Sequence, residues 1–153
     1  MQYIGYLGID PGQSGAIVLM EEGGVTFFPM PDTEPDMLAL FRQISCKPVV
    51  ALIERVGPMP KQGVVSVWTF AANYYGLRMA LHASGIPFDD ILPRKWQQEI
   101  GVHPIQNESK SEHKRRLRAK AQCLFPKLTV TLATADALLL AELCRRRYQV
   151  GGA

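Results

Sequence analysis

The chain has 153 residues, of which 47% are apolar and 20% charged, the balance of a globular protein that can bury a core. This composition excludes a disordered tail, a collagen-like rod and a disulfide scaffold, and the length predicts one domain spanning residues 1–153. No apolar run reaches the roughly 18 residues of a membrane span, and the first residues lack the features of a signal peptide. We therefore expect a cytoplasmic protein without a membrane partner. Its three cysteines are far apart in the sequence, and they are predicted to be buried, reduced thiols.

Charge is distributed unevenly along the chain. Residues 1–60 carry seven acidic and three basic side chains, whereas residues 61–153 carry seven acidic and fourteen basic ones. A basic half indicates an anionic partner, with nucleic acid the first candidate. The alternative is that solvated helix faces carry this charge.

The predicted elements follow the order β-β-β-α-β-α-β-α-α-α. Three short strand patterns separated by glycine-containing turns predict an antiparallel meander, over residues 3–10, 16–20 and 25–28. A helix capped by Asp36 and a wholly apolar strand over 48–53 come next. The remaining elements are a helix over 64–84, a strand over 86–92, a short helix from Pro93, a helix from the Ser109 cap to Leu124, and a helix over 135–148 capped by Thr134. A meander followed by alternating strands and helices predicts an α/β domain with a mixed sheet.

Three carboxylates fall at element ends, where ligands gather in open α/β sheets. Asp10 ends the first strand, Glu54 ends the apolar strand, and Asp136 lies in the first turn of the last helix. Three carboxylates in one cleft repel one another without a cation, and hard oxygen ligands suit Mg²⁺ or Mn²⁺. Two such ions about 4 Å apart can activate water and stabilise the leaving oxygen of a phosphodiester. Each residue also has a purely structural interpretation. Asp10 could be a turn residue, Glu54 an ion-pair partner, and Asp136 a residue that favours a helix N-terminus.

Several motifs in this order carry a family resemblance. They are Gly8 through Gly15 (GIDPGQSG), Ile53-Glu54, Pro93-Arg94-Lys95-Trp96 and Ala135 through Ala141 (ADALLLA). Together they resemble the RuvC family of Holliday junction resolvases, of phage or bacterial type, within the RNase H-like (retroviral integrase) superfamily. The resemblance covers nearly the whole chain.

The resemblance implies an RNase H-like fold and a crossover junction endodeoxyribonuclease that uses two metal ions. The expected activity is resolution of four-way (Holliday) junctions by a homodimer that makes paired symmetric nicks. It assigns catalysis and metal binding to Asp10, Glu54 and Asp136, with Mg²⁺ as the cofactor and Mn²⁺ as its substitute. A phage-encoded protein of this kind would act in the host cytoplasm.

One position departs from the family pattern. The family has a fourth acid three or four residues before the position of Asp136, where this chain has Ala133 and Leu132. Glu142 lies about 240° further round the helix and so off the same face. A non-catalytic or weakened junction-binding protein of the same fold is therefore an alternative. An actin-like phosphotransferase using Gly12 through Gly15 is a third candidate, but that architecture needs two lobes.

Basic side chains in the second half are candidate phosphate contacts. Lys110, Lys114 and Arg118 are spaced four apart and would form one stripe along a helix. A stripe beside the carboxylates would bind phosphates and make binding steeply salt-dependent, whereas a solvated face is the alternative. The further candidates for DNA binding are Lys61, Arg115 and, by resemblance, Lys95.

Apolar and aromatic side chains complete the candidate set. In RuvC relatives an apolar side chain from the loop over 57–63 wedges into the junction centre, which suggests Met59 in this role; a half-buried loop methionine is the alternative. The aromatic residues of the long helix are predicted to be core or dimer interface, namely Trp68, Phe70, Tyr74 and Tyr75. His113 is predicted to lie on the surface.

Overall fold

The computed structural model describes residues 2–12, 14–57 and 63–149. Its elements follow the predicted order: β1 (Gly5–Asp10), β2 (Ala16–Glu21), β3 (Gly24–Pro29), α1 (Glu34–Ile44), β4 (Val49–Glu54), α2 (Val64–Ala83), β5 (Phe88–Ile91), α3 (Pro93–Glu99), α4 (Lys110–Leu124) and α5 (Ala135–Tyr148). Among the described residues, none of the helices combines the length and hydropathy needed to cross a membrane.

The described strands form one mixed sheet in the order β3-β2-β1-β4-β5. Strands β1, β2 and β3 pair in antiparallel fashion, which confirms the predicted meander, and β4 pairs in parallel with both β1 and β5. The register pairs Ile9 with Ile53. The next residues, Asp10 and Glu54, therefore leave neighbouring strands at the same edge of the sheet.

Apolar clusters cover both faces of this sheet. On one face, alternate residues of β1, β2 and β4 pack with α3, α4 and α5. On the other face, the intervening residues of the same strands pack with α1 and α2. Successive side chains of a strand point to opposite faces, so a strand covered on both sides is apolar at every position. This explains the continuous apolar run of β4.

Gly8 allows α5 to lie directly against β1. A Cβ atom at Gly8 would lie 2.0 Å from the carbonyl oxygen of Ala137 and 2.2 Å from the backbone nitrogen of Ala141. A side chain of any size is excluded there, because packed interiors hold no spare volume at such distances. This close approach brings the first turn of α5, with Asp136, near the carboxyl end of β1, with Asp10.

Helix caps and cysteines show where local sequence signals succeeded and failed. The prediction of Asp36 as a cap was wrong: α1 begins after Thr33, whose hydroxyl accepts the backbone N–H of Asp36 at 3.3 Å. A proline is well accommodated in the first turn, so this helix starts earlier than its apolar pattern indicates. The Ser109 cap of α4 is confirmed by a complete capping box. The predicted burial of the cysteines was wrong for Cys46 and Cys123, which are exposed. Cys46 lies in the turn after α1, and Cys123 lies on an exposed face of α4.

Candidate functional site

The carboxylates predicted to form a metal centre line one cleft. Asp10, Glu54 and Asp136 all face a cavity of about 770 Å³ beyond the carboxyl ends of β1 and β4. Its remaining walls come from the β1–β2 turn and from α2, α3 and α4. The sheet register and the close packing at Gly8 together account for this convergence. The assignment of these side chains as metal ligands stays a prediction.

Burial and mutual repulsion make two of these carboxyl groups hold protons unusually tightly. Burial raises the pKa of Asp10 from 3.8 to about 8, and the charges of Glu54 and Asp136 add to the increase while Lys114 opposes it. Burial likewise raises the pKa of Glu54 from 4.5 to about 7, against a hydrogen bond from Trp96 that lowers it. Perturbation of this kind in a cleft is typical of functional sites, since buried carboxylates favour a proton or a cation.

An indole fixes one oxygen of Glu54. Trp96 is 0% exposed, and its Nε1–H donates to Glu54 Oε2 at 2.6 Å. Trp96 reaches Glu54 from beneath the cleft, because α3 packs in the same apolar cluster as β4 and α5. The sequence motif around Trp96 resembled the family, but its contact with Glu54 was not predicted.

Lys114 of α4 pairs with the third carboxylate. Its Nζ lies 3.0 Å from Asp136 Oδ2, and the side chains of Lys114 and Asp136 are 50% and 8% exposed, respectively. Burial lowers the pKa of Lys114, but Asp136 and the other two carboxylates outweigh this effect and raise it overall. Among the described residues, the buried Oδ1 of Asp136 has no hydrogen-bond partner.

The donor set has the chemistry of a site for a hard divalent cation. Three carboxylates supply oxygen ligands, one of which is buried and unsatisfied. Within residues 2–12, 14–57 and 63–149, however, no three His, Cys, Asp or Glu side chains are arranged to hold a metal ion. Trp96 and Lys114 each occupy one carboxylate oxygen. Binding of a cation by all three carboxylates therefore requires side chains to rearrange.

His113 is a cleft residue that the sequence analysis placed on the surface. That prediction was wrong, since the ring is half-buried, with Nδ1 3.1 Å from Glu108 Oε2 and Nε2 3.0 Å from Gln97 Oε1. Arg116 also donates to both oxygens of Glu108 at 2.9 Å. This network joins α4 to α3 across the wall of the cleft. Its members lie far apart in sequence, and no local pattern indicates them.

The predicted stripe of basic residues is only partly directed at the cleft. Lys114 lines the cleft, and Lys110 is exposed one turn earlier on α4. Arg118 is exposed, but its Nε donates to the carbonyl oxygen of Val130 at 2.9 Å. The stripe thus runs from the carboxylates along the surface of α4, and its role in binding DNA stays a prediction.

The other predicted DNA contacts lie elsewhere. Arg115 lines a second groove on another side of α4. Lys95 is exposed and lies about 200° around α3 from Pro93, which faces the cleft. Lys61 and Met59 fall outside the described residues.

Of the two candidate positions for a fourth acid, Ala133 lies beside the cleft. Ala133 lines a neighbouring groove that shares Ser14 and Gly15 with it, and Leu132 is 46% exposed. Glu142 pairs with arginines further along α5, off the cleft face as expected. The side chain that bonds to Asp136 is Lys114, a base from another helix.

The chain matches no protein-family model and no curated protein by sequence. Its structure is similar to that of Thermus thermophilus RuvC, with a TM-score of 0.58, 16% identity, and coverage of 92% of this chain and 94% of that chain. RuvC of T. thermophilus in complex with a Holliday junction substrate gives a TM-score of 0.61 and 14% identity over 91% of each chain. This likeness shows that the chain has the RuvC fold, an RNase H-like α/β fold, and confirms the predicted fold class.

Proposed function

We propose that this protein is a divalent-metal-dependent, structure-selective endonuclease, a single nuclease domain that resolves four-way DNA junctions by paired symmetric nicks. The observation that carries the proposal is the set of Asp10, Glu54 and Asp136 in one cleft of a chain with the RuvC fold. The similar T. thermophilus structure contains a Holliday junction substrate, which supports branched DNA as the partner.

The proposed chemistry depends on the charge state of the cleft. Asp10, Glu54 and Asp136 would hold Mg²⁺, with Mn²⁺ as a substitute, because all three offer hard oxygen ligands. When bound, such a cation supplies an activated water and stabilises the leaving oxygen of the phosphodiester. Asp10 must release its proton before it can act as a ligand, since burial raises its pKa to about 8. Trp96 holds one oxygen of Glu54 in place while the other is left for the ligand role.

Paired nicks require two sites, and we propose that a second copy of the chain docks on α2. Tyr74 of this helix is buried, whereas Trp68 is 78% and Tyr75 is 65% exposed. The exposed residues form an apolar strip along α2, which consists of Val64, Val65, Trp68, Tyr75 and Met79. Contiguous exposed apolar surface marks interaction sites, and a strip that meets its own copy gives the self-complementary interface of a two-fold dimer.

The basic stripe supplies the proposed contacts with junction phosphates. Lys110, Lys114 and Arg118 extend from the cleft along α4, so a strand whose scissile phosphate enters the cleft can follow them. Arg115 and Lys95 are weaker candidates, because Arg115 lines a different groove and Lys95 points away from the cleft face of α3. Lys61 and Met59, which lie outside the described residues, remain candidate contacts. A location in the cytoplasm, the host cytoplasm for a phage protein, is the corresponding expectation.

Labelled four-way junctions, incubated with and without Mg²⁺, test this function. We expect nicked duplex products with Mg²⁺, and Asp10→Asn should abolish cutting while junction binding persists, because the basic surface is unchanged. Asp32→Asn, the same substitution on an exposed loop, is the matched control and should cut normally. Shifted but uncut junctions with the parent protein would favour the alternative of a non-catalytic junction-binding protein, in line with the departure at Ala133 and Leu132.

A further inference from the structure

A lysine occupies the acidic cleft that the proposed metal centre needs. Lys114 is the only Lys or Arg among the described residues that line this cleft. Its Nζ contacts Asp136 Oδ2 at 3.0 Å. Asp136 is the carboxylate whose other oxygen, Oδ1, is buried without a hydrogen-bond partner in the described part of the chain.

The charges in the cleft are incompletely balanced by this contact. One ammonium group faces three acidic side chains, and it bonds to one oxygen of one of them. A divalent cation at the same carboxylates would carry more charge and could satisfy the orphaned Oδ1 of Asp136. It would also repel the Lys114 ammonium at that distance. The two cations therefore compete for the same carboxylate.

Lys114 can leave without any movement of the backbone. Its side chain is 50% exposed and has a flexible four-carbon stem. The helix beneath it is fixed by buried Leu117 and by the bonds of His113 to Glu108 and Gln97. A rotation of the side chain would turn the ammonium from Asp136 towards the exposed face of α4 that carries Lys110.

We propose that Lys114 is an internal counter-ion that competes with the divalent cation for Asp136 and, once displaced, binds a junction phosphate. This inference rests on the proposed function. It makes binding of metal and of DNA mutually reinforcing. Metal frees Lys114 for the phosphate, and a phosphate that engages Lys114 removes the competitor of the metal; such coupling is reciprocal.

Calorimetric titration of the full chain with Mn²⁺ tests the competition directly. Lys114→Met keeps the length of the side chain and removes its charge, and we expect it to bind Mn²⁺ at least tenfold more tightly than the parent. Lys127→Met, the same change at an exposed lysine that does not line the cleft, should bind Mn²⁺ as the parent does. Lys114→Arg keeps a positive charge and should remain close to the parent.

A second neutral variant keeps the test decisive if the first variant does not fold. Lys114→Gln retains a hydrogen-bond donor for Asp136 and should show the same gain if Lys114→Met unfolds. Equal or weaker Mn²⁺ binding by the folded neutral variants would overturn the competition, while junction cutting by the parent would leave the proposed nuclease intact. If neither the parent nor the neutral variants bind Mn²⁺, the competition and the metal centre both fail.

The coupling to DNA has its own readout. Fluorescence anisotropy of a labelled four-way junction is measured with and without Ca²⁺, and electrophoresis verifies that the junction stays intact. Ca²⁺ should tighten junction binding by the parent and by Lys127→Met, and this gain should be lost in Lys114→Met. A gain of equal size in all three proteins would overturn the role of Lys114 in the coupling.

Discussion

Replacing Trp96 by Phe removes the single N–H donor that bonds to Glu54 and keeps an aromatic ring. The indole is 0% exposed and donates to Glu54 Oε2 at 2.6 Å. Burial raises the pKa of Glu54 to about 7, and the bond from Trp96 holds it below the value that burial alone would give. Loss of this bond should therefore raise the pKa of Glu54 further and disfavour its ionised form.

The size of the effect follows from the strength of the bond. Hydrogen bonds to charged groups contribute about 1.5–3 kcal/mol, and a loss of about 2 kcal/mol raises a pKa by about 1.5. A carboxyl that is about half ionised at pH 7 would then be ionised in only about 3% of molecules. Because ligands must be deprotonated to bind metal, Mn²⁺ affinity at pH 7 should fall about 15-fold. It should recover as the pH is raised to about 9.

Calorimetric titration with Mn²⁺ at pH 7 and pH 9 measures this change. Trp68→Phe is the matched control, because it makes the same substitution at a side chain that is 78% exposed on α2. Urea unfolding of both variants separates the ligand effect from the loss of packing that a smaller ring causes. The reasoning is refuted if Trp96→Phe, once shown to be folded, binds Mn²⁺ at pH 7 as tightly as Trp68→Phe does.

Three other perturbations test the electrostatics, the packing and the DNA-binding stripe. Burial raises the pKa of Asp10 from 3.8 to about 8, so Asp10 holds its proton more tightly in the folded protein than in the unfolded chain. The contribution of Asp10 to the free energy of unfolding therefore falls as the pH rises from about 4 to about 8. Thermal unfolding in a chelator should show this fall as the difference between the parent and Asp10→Asn, and a difference that does not vary with pH would contradict it. Gly8→Ala places a Cβ 2.0 Å from a carbonyl oxygen of α5 and should lower the free energy of unfolding in urea by about 3 kcal/mol, whereas Gly23→Ala meets nothing within 4 Å and should be neutral. The single variants Lys110→Ala and Arg118→Ala should each reduce the slope of log junction affinity against log salt concentration by about 0.9. An unchanged slope would show that the DNA does not contact this stripe.

The sequence by itself determined the order of the elements and the edge of the sheet where the carboxylates emerge. Apolar periodicity, glycine turns and the Ser109 cap are signals carried by residues a few positions apart, and such signals do not depend on the rest of the fold. The same local logic identified Asp10 and Glu54 as residues at strand ends. Their adjacency then needed only the pairing of β1 with β4, which the structure contains.

Helix α2 shows the limit of a local pattern. Apolar and aromatic residues occur all around it, so the sequence could not separate core from surface. Packing against the sheet and α1 buries Tyr74 and Leu77 and leaves Trp68 and Tyr75 outside. Which side of such a helix is covered is decided by the elements that pack against it.

The charged contacts within the cleft were decided by the tertiary structure alone. Lys114 reaches Asp136 across 22 positions, and Trp96 reaches Glu54 across 42. Both contacts depend on how α3 and α4 are seated against the sheet and α5. Helical periodicity shows that a face is polar, but it carries no information on which distant carboxylate that face will meet. The sequence therefore predicted a set of acidic and basic residues, and only the packing of the helices determined which acid each base or donor satisfies.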